Sequence, residues 1–177
     1  MGSACRCIIC HDYGDRDRLG TFELRTIVHV QQYGWSTVLT GPRDGRPGWA
    51  FTIGLWHTHR SPELVVFGLD PYDMQTIVNN LGERAAQGAT PAPGQERHDA
   101  TERHPVALRP VDTRWYERLV PEAVRFYRSS PLPFLQVVWP DATGLYPWQP
   151  GADSALASAQ PSLWTPPAEH PPGVWTS

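Results

Sequence analysis

Apolar positions recur along this chain in two rhythms. Between Thr21 and Tyr33, Leu24, Ile27 and Val28 keep the 3.6-residue spacing of a helix, with Gln31 the weak member. Gly34 follows where a glycine closes a helix. Trp35 to Thr40 then reads as a strand, Gly41 to Gly48 as a turn by composition, and Trp49 to Trp56 as a second strand. In that second strand Trp49, Phe51, Ile53 and Leu55 share one face, and Ala50, Thr52, Gly54 and Trp56 the other. The two strands suit a hairpin. Leu64 to Leu69 is apolar enough for a strand buried on both faces. A helix opens at Pro71, with Asp70 as N-cap and Met74, Ile77, Val78, Leu81 and Ala85 as its apolar stripe; Gly88 ends it.

Residues 89–104 are polar and rich in Pro and Gly, the composition of a loop. Val106 to Val111 is a strand that Pro110 places at an edge or near its end. Trp115 to Arg128 is helical by pattern, with Pro121 splitting or kinking it. Phe134 to Trp139 is the last strand. From Pro150 the chain loses its periodicity, and Leu156, Trp164 and Trp175 are the residues by which this tail would dock. Strands that follow one another through short connections predict an α+β domain with a largely antiparallel sheet and two or three packed helices; closure into a split β-barrel is one form of it. The divisions expected are a cysteine-bearing segment over 1–20, a core over 21–149 and a proline-rich tail over 150–177.

Composition narrows the chemistry. With 177 residues the chain suits one domain of ordinary size. Its charged residues are 19% and its formal charge is -3, so no polyanion-binding surface covers it. Every basic residue is Arg, which excludes a Schiff-base lysine and a P-loop lysine. No apolar run nears the ~20 residues of a membrane helix, and no signal-peptide core is present, so the expectation is a cytoplasmic protein with no membrane partner. No nucleic-acid motif, Gly-x-Ser-x-Gly or Gly-x-Gly-x-x-Gly occurs.

Four stretches in order carry a resemblance. They are Tyr33-Gly34-Trp35, Ala50 to Trp56, Pro62 to Leu69, and Gln136 to Asp141 with Gly144 to Trp148. Together they resemble the bacterial family catalogued as domain of unknown function 4262, over about Cys5 to Trp148. The resemblance implies a bacterial source and supplies no catalytic residue. The strand and helix order is also similar to flavin-reductase-like split barrels, an analogy of fold that does not establish function.

Three groups of residues can carry chemistry. Cys5, Cys7, Cys10 and His11 offer soft and borderline ligands suited to Zn²⁺ or an iron–sulfur centre, but from one short segment, whereas structural zinc usually joins two parts of a chain. The other reading is reduced thiols near a mobile terminus. His57-x-His59-x-x-x-Glu63 would point both imidazoles one way if the chain were extended there, giving the first half of a cupin-like metal motif whose second half is missing. Two exposed loop histidines and a carboxylate bonded to backbone are the alternative. Asp141 either bonds its own turn or sits at a pocket mouth as an acid or base. Trp35, Trp56, Gln136, Trp139 and Trp148 are the candidate lining of an aromatic pocket for a small molecule, with core packing as the alternative. His57, Glu63 and Asp141 are the catalytic candidates, expected around one rim with Trp56 and Trp139. Two functions stay open: a small-molecule enzyme or binding protein, with flavin as one cofactor; or a non-catalytic interaction module with metal at the cysteines. Self-association stays open in both.

Overall fold

The computed structural model describes residues 4–177; residues 1–3 of the cysteine-bearing segment lie outside the described residues. In chain order the elements are α1 (Thr21–Tyr33), β1 (Ser36–Thr40), β2 (Trp49–Ile53), α2 (Leu55–His59), β3 (Glu63–Phe67), α3 (Pro71–Ala86), β4 (Glu96–Arg97), β5 (Val106–Pro110), α4 (Tyr116–Leu119), α5 (Pro121–Tyr127), β6 (Phe134–Val138) and α6 (Leu156–Ala159). Local chemistry explains most of these limits. Gly34 closes α1 in a left-handed conformation and returns its N–H to Val30. Asp70 caps α3 by accepting from the Tyr72 N–H, with Pro71 behind it. Pro121 cannot donate to a helix running through from α4, so α5 starts there afresh.

The strands form one six-stranded sheet in the order β1-β2-β3-β6-β5-β4. Every neighbouring pair is antiparallel except β3 with β6, where Glu63, Leu64 and Val65 lie beside Phe134, Leu135 and Gln136. The architecture is therefore α+β with a mostly antiparallel sheet. The sheet stays open, with β1 and β4 as its two edges, and no barrel closes. Pro110 ends β5, which lies inside the sheet, and the short β4 forms within the loop of residues 89–104.

Alternation along the strands divides the core into two layers. Ala50, Leu64, Val66, Leu108, Leu135 and Val137 face α3, which buries Met74, Ile77, Val78 and Leu81 against them. Each such side chain contributes about 1.5–3 kcal/mol relative to an exposed one. Trp49, Phe51, Ile53, Val65, Phe67 and Phe134 face the other way, toward α4, α5, the cysteine-bearing segment and the tail. The tail docks on this second layer. Leu163 and Trp175 are buried, and Trp175 meets Phe67 edge to face at 5.2 Å. The Arg46 guanidinium donates to the carbonyls of Val174 and Ser177.

Candidate metal centre

The second strand is shorter than its alternating pattern predicts. It stops at Ile53, because Gly54 turns the chain with φ 116° and Leu55 to His59 coil into α2. A side chain at Gly54 would come within 2.7 Å of Val30 Cγ2 and 3.1 Å of the Gly34 carbonyl, so the turn needs glycine for both space and conformation. The amides at the start of α2, which have no partner within the helix, find their acceptors in the core. Glu63, fully buried at the start of β3, accepts from Gly54 N–H at 2.8 Å and Trp56 N–H at 3.1 Å. The Thr52 and Tyr127 hydroxyls also donate to it, and Tyr127 Oη accepts from His57 N–H at 3.2 Å. Burial raises the Glu63 pKa, opposed by the hydrogen bonds from Thr52, Tyr127, Trp56 and Gly54.

The same helix, α5, that supplies Tyr127 also holds the cysteines. Ile8 N–H donates to the Phe126 carbonyl at 3.0 Å, and Arg6 N–H donates to the Ser130 hydroxyl. Cys7 and Ile8 are buried in the layer of Phe51, Val65 and Phe126. One structural unit, Phe126 to Ser130, thus fixes both the cysteine segment and the helix bearing His57.

The result is convergence. Cys7 Sγ and Cys10 Sγ each lie 3.3 Å from His57 Nδ1, and Cys5 Sγ lies 3.8 Å from it. All four ligand atoms fall within 4.8 Å of one another. An imidazole nitrogen has one lone pair or one proton, so it can form one hydrogen bond to one sulfur, not three. Around a tetrahedral Zn²⁺, with Zn–S about 2.3 Å and Zn–N about 2.0–2.1 Å, each sulfur stands about 3.5 Å from the nitrogen. The three observed separations bracket that value. The donor set of three thiols and an imidazole is one that zinc favours.

Electrostatics divides the four groups. Burial pushes the Cys7 thiol up to about 12, against hydrogen bonds from the Cys10 and Ile9 backbone. Burial and then the charge of Cys5 raise Cys10. At Cys5 burial also acts upward, but hydrogen bonds from Cys7, Ser130 and Cys10 outweigh it and hold that thiol below its ordinary value. Burial, then the nearby Arg60 charge, lowers His57 and keeps its lone pair free. Burial thus favours the protonated thiol at Cys7 and Cys10, and turning all three into thiolates in this space would take a cation among them.

Other expected site residues are placed elsewhere. His11 is exposed, against the ring of Tyr13 at 4.6 Å, and takes no part in the cluster; His57 stands in its place. His57 and His59 do not point the same way, because they lie on a helix rather than an extended chain; His59 meets Trp35 instead. Asp141 does not share a rim with Glu63. Since β6 starts beside Glu63 and runs parallel to β3, Asp141 lies beyond its far end, roughly 20 Å along the strands. There its carboxylate accepts from Thr143, Leu145 and Asp153, and these bonds, that of the Thr143 hydroxyl foremost, hold its pKa well below the usual carboxylate range.

The aromatic candidates are dispersed. Trp35 Nε1–H donates to Asn79, and its ring lies against Gly82, where a Cβ would intrude to 2.9 Å. Trp139 Nε1–H donates to the Phe67 carbonyl at 2.8 Å. Trp148 stacks on Tyr146 with the Arg109 guanidinium 4.0 Å over its ring. Trp56 packs against the layer of Phe51, with Arg60 5.8 Å from its ring. Gln136, wholly buried, donates to the Pro161 carbonyl and accepts from Leu163 N–H, so it clamps the tail. Five cavities of the molecule are lined by other residues. Sequence reasoning did not join His57 to the cysteines; the available signal was three thiols in want of a fourth ligand from a distant segment.

Fold and site together define an open-sheet α+β domain with a three-cysteine, one-histidine cluster at one end. Residues 29–153 match the model of the family described as Domain of unknown function (DUF4262), and the chain belongs to that family. The matched stretch holds His57, Glu63 and Tyr127, whereas the three cysteines precede it. Comparison with curated proteins and with solved structures gives no match. Among the described residues, no helix is long and apolar enough to cross a membrane.

Proposed function

We propose that this chain is a metal-binding, non-catalytic module in which Cys5, Cys7, Cys10 and His57 hold one Zn²⁺ ion. The observation that carries the reading is the approach of three cysteine sulfurs to a single imidazole nitrogen, at 3.3, 3.3 and 3.8 Å. Four protein ligands fill a tetrahedral shell and leave no position for substrate, which is the pattern of structural rather than catalytic zinc. The ligands come from two places about 50 residues apart, so the ion fastens the segment around Cys5–Cys10 to α2 and the core. Three thiolates and Zn²⁺ leave one negative charge, and the Arg60 guanidinium lies near enough to oppose part of the rise in the Cys10 pKa. The aromatic-pocket reading is the weaker one, because its tryptophans and Gln136 are engaged in packing and in holding the tail.

Metal analysis of the purified protein tests this. One zinc per chain is expected, falling to a small fraction in Cys7→Ser and in His57→Ala but unchanged in His11→Ala. Absence of bound metal from wild-type protein prepared in zinc-supplied medium, or retention of it in His57→Ala, overturns the reading.

A further inference from the structure

β1 is an edge of the sheet, and the register fixes which of its backbone groups face outward. Gly68 N–H donates to the Gly48 carbonyl, so Gly48, and by alternation Ala50 and Thr52, turn toward β3. Trp49, Phe51 and Ile53 therefore turn toward β1, opposite Thr40, Val38 and Ser36. Thr37 and Leu39 are left with N–H and C=O directed away from the sheet. Such a row of free groups is a template for another strand.

A cavity of about 280 Å³ lies along this edge, between β1 and α1. It touches residues 36–39, four in succession. Successive side chains of a strand point to opposite faces, so a space that meets all four lies against the edge and not over either face. Its walls are partly apolar: Phe22 and Leu39 are 38% and 46% exposed. They are also basic. Arg25 and His29 line the cavity from α1, and no carboxylate does. Arg25 is exposed and forms no ion pair among the described residues, while the neighbouring Glu23 faces Arg125.

We propose that this edge binds an extended acidic peptide of a partner protein as a seventh strand. The peptide main chain pairs with Thr37 and Leu39, an apolar side chain covers Phe22 and Leu39, and a carboxylate reaches Arg25 beside His29. Main-chain pairing supplies affinity and the flanking side chains supply selectivity, as in other strand-addition surfaces. A second copy pairing through β1 fits less well, since Ser36-Thr37-Val38-Leu39-Thr40 brings no carboxylate to Arg25.

The test is selection of random dodecapeptides displayed on phage against the intact protein, followed by fluorescence polarisation with the enriched peptide. Expected are enriched sequences that alternate apolar and polar positions with at least one Asp or Glu. Two variants separate the contributions: Arg25→Glu reverses the charge, and Leu39→Pro removes an outward N–H that β2 does not use. Each should weaken binding by about tenfold or more, the cost of a lost charge-assisted or backbone bond, while circular dichroism stays that of the wild type. The Thr37 and Leu39 amides should gain hydrogen-exchange protection when peptide is bound. No enrichment, enrichment without acidic residues, or binding indifferent to both variants overturns the proposal. So does a dimer in sedimentation that Leu39→Pro dissolves, which would assign the edge to a second copy.

Discussion

Glu63 is a carboxylate with no exposed surface, and no arginine, the chain's only basic side chain besides histidine, pairs with it. What holds it is a set of donors: two hydroxyls and two backbone amides. An ionised carboxylate accepts all of them at once, and burial alone would favour its protonated form. Glu63→Ala leaves the Trp56 amide and the Thr52 and Tyr127 hydroxyls without their acceptor, while the Gly54 amide keeps only Tyr127 Oη, and opens a cavity. A loss of about 3 kcal/mol or more in chemical denaturation is expected. A loss below about 1 kcal/mol would mean water replaces the carboxylate. At this scale the sequence offered Glu63 and Asp141 equally as reactive groups or as partners of the backbone. The geometry surrounds Asp141 with donors from its own turn and nearby chain and Glu63 with donors that include the distant Tyr127, and residue type alone does not reveal that.

Elements with a recognisable end were legible: α3 follows from its apolar stripe and the Asp70-Pro71 start, and α1 from Gly34, although α1 buries Thr26 and Val30 and leaves Leu24 and Val28, two members of its expected stripe, exposed. α2 was not. The alternation of Trp49 to Ile53 continues through Leu55, and only the conformation at Gly54 breaks it, a property set by Glu63 and Tyr127 from elsewhere in the chain. That hidden helix is what separates His57 from His59 and aims it at the cysteines. It also bears on dynamics. If a metal joins α2 to the cysteine segment, removing it with a chelator should speed hydrogen exchange at Ile8 and His57, whose amides bond Phe126 and Tyr127. The amides of β3 and β6 should keep their protection. Equal loss everywhere would make the metal a condition of the whole fold, and no change would detach it from this segment.

At the scale of the molecule, α+β character was legible from the order of elements, but the seam of the sheet was not. The sheet is two three-stranded meanders, β1-β2-β3 and β4-β5-β6, joined where β3 meets β6 in parallel. A parallel pair between residues about 70 positions apart leaves no local mark on either strand. The tail shows the same limit: Leu156 and Trp175 were recognisable as docking residues, but the buried Gln160 and Leu163 and the route itself were not. That route crosses Gly68, where a Cβ would fall 2.2 Å from the Ala159 carbonyl and where φ is +74°. Gly68→Ala should therefore lower the melting temperature, by about 1–3 kcal/mol of stability, and make residues 155–177 more sensitive to protease. Unchanged proteolysis would show that the tail can rest elsewhere.

The arrangement around Phe126 to Ser130 sets an order on biosynthesis. The three cysteines leave the ribosome well before His57, and before the helix that receives Ile8. Their resting place exists only after α5 has been made, so during translation they stand as free thiols for an interval set by synthesis at roughly 5–20 residues per second, about five seconds or longer. In that interval the nascent chain is a ligand without a cage, open to any soft ion or oxidant. If the cluster holds a metal, the imidazole that the folded core brings in is what would discriminate among the ions that arrive.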